Sequence, residues 1–423
     1  MDDAQEKSQR DPGGTTVSPD LLRGLTAPRF SRRRFIRNTG GLLAAGSLVG
    51  ALSACGIAGT RDTGWKSGFD WDSWWRRQER QGTLDFANWP LYIDRTKDGS
   101  PTLNDFSRKY GVTVNYRPVI QDNASFFAQI SPVLAAEQPI GYDLVVISNG
   151  WELTQMIENH WLVPLDHSRL PNFERYAGAA SRAPAYDPKN EFTVTWQSGI
   201  TGIGYDPEKT GREITSLKDL YDPAFAGRVG MMSDNTELGS TGMLVQGIEP
   251  VSSGPAEWRQ AAEVLRKQRD DGIVRQYYDQ GYIKALQQGD TIISMAWSGD
   301  VFQAQVSGNS NLKFVVPEEG GMIWHDNCMI PYRAAHPVDA IEWMDYSYRP
   351  EIQAQISDWV NYVSPVPDAK PIIADQLDDP TVADSPLVFP SEAITKQLHD
   401  YYDFKSVGDH EEWTSIFDPI IQS

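Results

Sequence analysis

The chain carries only two cysteines in 423 residues, Cys55 and Cys328, which excludes a disulfide framework. Its six histidines show no HExxH spacing and the cysteines no CxxC, so no metal centre is predicted. No GxxxxGK stretch followed by Ser or Thr is present. The run Gly199 to Gly204 lacks the spacing and strand-to-helix setting of a dinucleotide loop. Any ATPase that serves this protein is therefore another chain, and no cofactor is expected. Positive charge is also scarce: 38 Lys and Arg stand against 57 Asp and Glu, a net charge of -19. Beyond residue 54 the counts are 30 and 52, or -22, a field that repels nucleic acid and draws small cations inward. A spanning helix is missing too, because the uncharged run Asn38 to Thr60 is broken by Gly40, Gly41, Gly46 and Gly50.

What that run does carry is an export pattern. Ser31-Arg32-Arg33-Arg34-Phe35-Ile36 precedes it, and Arg32 and Arg33 resemble the pair of a twin-arginine signal. Leu52-Ser53-Ala54-Cys55 closes it and resembles a bacterial lipobox, whose cysteine takes a diacylglycerol and becomes the new N-terminus. Residues 1–54 are thus expected to be a lipoprotein signal peptide and 55–80 a tether. The mature protein is expected as a monomer held on the outer face of the cytoplasmic membrane by lipid at Cys55. Within the tether, Phe69 to Arg77 is dense in Trp and Arg; it suits either a membrane interface or a short helix docked on the body, and the docked helix is favoured because the segment is too short for stable insertion.

From Thr83 onward the hydrophobic pattern alternates between strand and helix. Strands are predicted at 83–88, 112–119 and 142–147, with helices beginning near Leu103 and at Asn123. The rhythm resumes with strands at 228–232, 291–295 and 313–316, implying α/β architecture with mostly parallel strands in two sheets. The segments 193–205 and 326–331 are read as two crossings between lobes, with lobe 1 at 81–198 plus 327–370 and lobe 2 at 199–326 plus 371–423. Two such lobes can close on a ligand as on a hinge.

One segment organises the candidate site. Glu319-Gly320-Gly321-Met322-Ile323-Trp324-His325-Asp326 places a large aromatic two residues before a carboxylate, and in an extended chain both face the same side. A ring beside a negative charge grips an organic cation. Trp297 and Asp300 repeat the pairing after a strand; Trp89 with Tyr92 and Asp234 with Glu237 are looser versions. Taken singly, such tryptophans usually pack in cores and such acids usually cap helices.

With these residues in view, 81–423 resembles the bacterial spermidine/putrescine-binding proteins of ABC transporters. Asn88-Trp89 with Tyr92 resembles that family's first-strand motif, and Asp143 to Ser148 its third. Asp234 and Glu237 match the segment in which an Asp and a Glu three residues later hold an ammonium. Trp297 and Asp300 are similar to the pair in putrescine-preferring members, Trp324 and Asp326 match the most specific motif, and Tyr362 falls near a late tyrosine. Leu91 stands where some members have an acid and Gly150 where some have an aromatic; no match to the C-terminal glutamine occurs around Phe404 to Ser406.

The resemblance implies a two-lobed periplasmic-binding-protein-like fold of type II with the ligand in the interlobe cleft. It implies a polyamine ligand, an ABC permease and a separate ATPase as partners, and no catalytic residue. Ligand contacts are expected from Trp89, Tyr92, Ser148, Asp234, Glu237, Trp297, Asp300, Trp324, Asp326 and Tyr362. Two other readings remain at this stage: a binding protein of the same fold for an amino acid, an opine-like amine or an iron complex, and a secreted glycoside hydrolase using a carboxylate pair.

Overall fold

Alternation of apolar side chains makes β1, Thr83–Asn88, a strand that fills cores on both faces. Leu84 and Phe86 enter one cluster and Ala87 another. The following helix Pro101–Tyr110 starts where Ser100 Oγ caps the Leu103 amide and stops at Gly111, whose φ of 70° lies in the left-handed region. It returns the chain to β2, Thr113–Pro118, parallel to β1. The helix Asn123–Ala135, capped by Asp122, leads to β3, Leu144–Ser148, on the other side of β1 and again parallel. These elements fall within one or two residues of their predicted bounds.

In the computed structural model the residues described are 68–308, 311–404 and 406–422, all within one compact unit, Gly59–Ser423. The signal peptide, Arg32, Arg33 and Cys55 lie outside them.

The second run of strands comprises β5, Val229–Met232, β6, Val274–Tyr278, and β7, Ile293–Trp297, mutually parallel in the order β7-β5-β6. Two sheets were expected, and the hydrogen-bonded strands instead form one path, β2-β1-β3-β9-β4-β7-β5-β6, in which β4 is Thr193–Tyr205 and β9 is Gly321–Met329. The reason is physical: both crossings are themselves strands. β4, Thr193–Tyr205, is buried at all 13 positions, and β9, Gly321–Met329, pairs with it antiparallel. One end of this ribbon joins β3 through β9; the other joins β7 and the short β8, Lys313–Val315, through β4. A lone extended crossing would leave its amides unpaired in the interior, and pairing the two with each other satisfies both.

Two core groups flank the ribbon. Phe86, Trp196, Trp343 and Tyr362 belong to one, while Met231, Trp258, Met295, Trp413 and Phe417 belong to the other. Trp297 and Trp324 pack against both. The Trp-rich segment forms a helix, Trp71–Arg76, docked on the first core: Trp75 is 3% exposed and its indole N–H donates to the Pro164 carbonyl at 2.8 Å. No helix among the described residues is long and apolar enough to cross a membrane.

Candidate functional site

Parallel strands deliver side chains to their carboxyl ends, and that is where the expected residues fall. Trp89 follows β1, Ser148 ends β3, Asp234 follows β5 and Trp297 ends β7. The ribbon carries Trp324 and Asp326 between them, with Asp326 opposite Ser148 in register. Asn149 fixes that register: its amide donates to the His325 carbonyl at 2.8 Å, and its Oδ1 accepts from the His325 amide at 2.7 Å.

Hydroxyls link the carboxylates into a chain. Ser148 Oγ donates to Asp326 Oδ1 and the Tyr92 hydroxyl to Asp326 Oδ2, each at 2.6 Å. The Tyr92 ring meets Tyr362 edge-on at 5.6 Å, and the Tyr362 hydroxyl donates to Asp300 Oδ1 at 2.7 Å. Asp300 Oδ2 accepts from Tyr282 at 2.8 Å, and that hydroxyl in turn accepts from the Trp297 amide at 3.0 Å. The Trp297 indole donates to Glu237 Oε1 at 3.1 Å, where Thr201 Oγ1 donates as well at 2.8 Å. The other carboxyl oxygen of Glu237, a residue 7% exposed, has no well-formed hydrogen bond among the described residues, and the Tyr401 hydroxyl, itself without one, is a neighbouring donor.

Trp324 lies across this chain, its ring 5.4 Å from Tyr362 and 6.3 Å from Trp297. Glycine makes that possible. A Cβ on Gly199 would come within 2.0 Å of the Trp324 ring, and one on Gly299 within 2.5 Å of Tyr362. Asp234 is more open. Its Oδ1 caps the helix Asn235–Leu244 through the Thr236 and Glu237 amides, so capping accounts for one of its two oxygens. Trp89 is the expected residue least tied to the chain: its indole N–H is taken by the Val146 carbonyl at 3.1 Å and its ring packs on two core clusters.

Sequence reasoning missed four residues here. Tyr282, Thr201 and Tyr401 approach Asp300 or Glu237 from elements with no distinctive motif. Glu152, just after Gly150, is pushed up to about 7 by burial, with Asp234 and Asp122 adding like charge. The run from Ser148 through Gly150 into the helix Trp151–Glu158 was the available signal.

The electrostatics are one-sided. Among the described residues no Lys or Arg forms an ion pair with Asp234, Glu237, Asp300 or Asp326. Burial raises Glu237 to about 7 and Asp326 to about 6, and raises Asp300 as well, against the lowering effect of their hydroxyl and indole donors. The arrangement can compensate positive charge on a guest that packs against its rings. Elsewhere, Asp85, Asp143 and His336 come together, but Asp143 is occupied by the Asp85 amide and by both the amide and the Nδ1 of His336. A surface cavity of about 410 Å³ beside Arg108, Tyr346 and Arg349 shares no residue with the carboxylate cluster.

The fold is that of a two-lobed periplasmic-binding-protein-type protein, with the rings and acids gathered at the carboxyl ends of its strands. Residues 142–398 match the family of bacterial extracellular solute-binding proteins, and the chain belongs to it. The putrescine-binding periplasmic protein SpuD of Pseudomonas aeruginosa is 27% identical over 353 residues, covering 79% of this chain and 91% of that protein. The putrescine-binding periplasmic protein PotF of Escherichia coli is 26% identical over 336 residues, 75% of this chain and 86% of that one. Among solved structures, the spermidine/putrescine ABC transporter substrate-binding protein PotD of Streptococcus pneumoniae superposes with a TM-score of 0.68, at 22% identity, over 80% of this chain and 98% of that one.

The raised carboxyls fix the sign of a pH effect. Glu237 and Asp326 hold protons more tightly folded than unfolded, so their contribution favours the ligand-free fold at low pH and is lost as pH rises through about 6 to 7. A cationic guest needs them ionised. Affinity for an organic cation is therefore expected to fall as pH drops from 8 to 5, with protons released on binding near pH 6.5. Titration calorimetry in buffers of different ionisation enthalpy reads both; pH-independent affinity without proton release contradicts the assignment.

Proposed function

We propose that the protein is the solute-binding receptor of an ABC importer, that it captures a polyamine of the putrescine and spermidine class, and that it hands the ligand to a membrane permease driven by a separate ATPase. The observation that carries this reading is the set of four carboxylates, Glu237 and Asp326 buried, Asp300 partly buried against Tyr362 and Tyr282, and Asp234 more open, with which no Lys or Arg among the described residues pairs. Protonated amines supply that charge. Asp234, Glu237, Asp300 and Asp326 meet the N–H groups in charge-assisted hydrogen bonds, and Trp297, Trp324, Tyr92 and Tyr362 wall the methylenes, with Trp89 at one margin. The names of SpuD and PotF add weight, since both are described as putrescine-binding.

Ligand is bound and released, not transformed. Tyr362 and Tyr92 belong to one core, Tyr282 to the other, and Trp297 and Trp324 pack on both, so a guest touching both sets favours the closed arrangement over the open one. The acidic body raises the encounter rate with small cations. The working protein is placed outside the cytoplasmic membrane, tethered by lipid on Cys55 after twin-arginine export; the motifs around Arg32, Arg33 and Cys55 support this.

Asp326→Asn is expected to weaken putrescine or spermidine binding roughly thirtyfold, the loss of about 2 kcal/mol of charge-assisted bonding, and Trp324→Ala roughly tenfold through lost stacking and cation–π attraction. Calorimetric titration checks both, and unchanged affinity in the two variants removes the cleft from the account. For the anchor, Cys55→Ala is expected to move the exported protein from the membrane fraction to the soluble fraction; a membrane-bound variant rules out lipid at Cys55.

A further inference from the structure

In the ribbon of β4 and β9, Gln197 stands out because both of its side-chain polar atoms, Oε1 and Nε2, are unpaired among the described residues. It is wholly buried, at 0% exposed. Its partner in register is Asp326, and residues opposite one another on antiparallel strands turn their side chains to the same face. The adjacent rung confirms the alternation, because Ser198 and His325 bond to each other at 2.6 Å on the opposite face. One rung further, Trp324 lies over Gly199 on the Gln197 face again, and its indole N–H is a second buried donor without an acceptor.

The chemistry of these orphans narrows the guest. Nε2 of Gln197 and Nε1 of Trp324 are donors, and an ammonium has nothing to accept with. A free amine at this end would meet Oε1 of Gln197 and leave both N–H groups stranded. Asp326, moreover, already accepts from two hydroxyls, those of Ser148 and Tyr92. An amide or urea group answers the whole set: its carbonyl accepts from the two donors, and its N–H donates to Asp326 or to Oε1 of Gln197. The Glu237 end differs, since its second carboxyl oxygen forms no well-formed hydrogen bond, has only the Tyr401 hydroxyl as a neighbouring donor, and suits an ammonium.

We propose that Gln197 is a ligand-contacting residue that makes the Asp326 end of the cleft specific for an acylated or carbamoylated nitrogen, so that the site takes a diamine with one free ammonium and one amide end. The inference rests on the amine-binding reading above and names the ligand class within it.

The test uses the purified protein, titrated by calorimetry with putrescine and with N-acetylputrescine, and the same pair with Gln197→Met, which keeps the length of the side chain and removes its polar atoms. The wild-type protein is expected to bind N-acetylputrescine about tenfold more tightly than putrescine, and the variant to lose that advantage. Its thermal midpoint without ligand should match or exceed that of the wild type, because two unpaired buried groups are gone. Wild-type protein that binds putrescine as tightly as the acetylated form overturns this inference alone, and needs no variant to do so. An unchanged preference in Gln197→Met overturns it equally. Binding of neither ligand overturns the amine reading along with it.

Discussion

Buried negative charge without a matching positive charge is the constraint on which the rest of this structure depends. Ionised carboxyls in a low-dielectric interior are costly unless paired, and proteins ordinarily pair them internally. Here Asp300 and Asp326 are held by hydroxyls of Tyr282, Tyr362, Tyr92 and Ser148, and Glu237 by a hydroxyl and an indole. Neutral donors orient a carboxylate without cancelling its charge. The protein thus keeps its acids fixed in place and still wanting a cation.

That requirement explains the ribbon. β4 and β9 are the elements common to both core groups, and they carry Thr201, Gln197, Trp324 and Asp326 on or beside the cleft. Because the strands pair with each other, the backbone that supports these side chains is internally satisfied while it serves both core groups. Gly199 and Gly299 are spaces left for Trp324 and Tyr362, so the aromatic wall is set by what is missing from the facing residues. On the proposed reading, a guest that bridges Asp326 and Glu237 couples the two cores.

Much of this was legible from local pattern. Trp324 and Asp326 share a face because a strand has period two, and Asp234 with Glu237 stood out by spacing alone. The same locality misled in part: Asp234 is also a helix cap, and the indole of Trp89 is satisfied by the Val146 carbonyl. What stayed hidden depends on contacts distant in sequence. Tyr282 reaches Asp300 from a short helix without a motif, and Gln197 gains meaning only from its register with Asp326. The union of the sheets was hidden for the same reason, since pairing of 193–201 with 322–329 is a long-range choice that no window of sequence contains.

The measurement that bears most directly on the central claim is calorimetric titration of the unmodified protein with putrescine, spermidine, spermine and a neutral amino acid at two salt concentrations. Saturable binding of at least one polyamine, weakened by salt and absent for the amino acid, is the result this account predicts. Folded protein that ignores every polyamine and binds the neutral solute would leave the fold and the family standing and contradict the role assigned to its carboxylates.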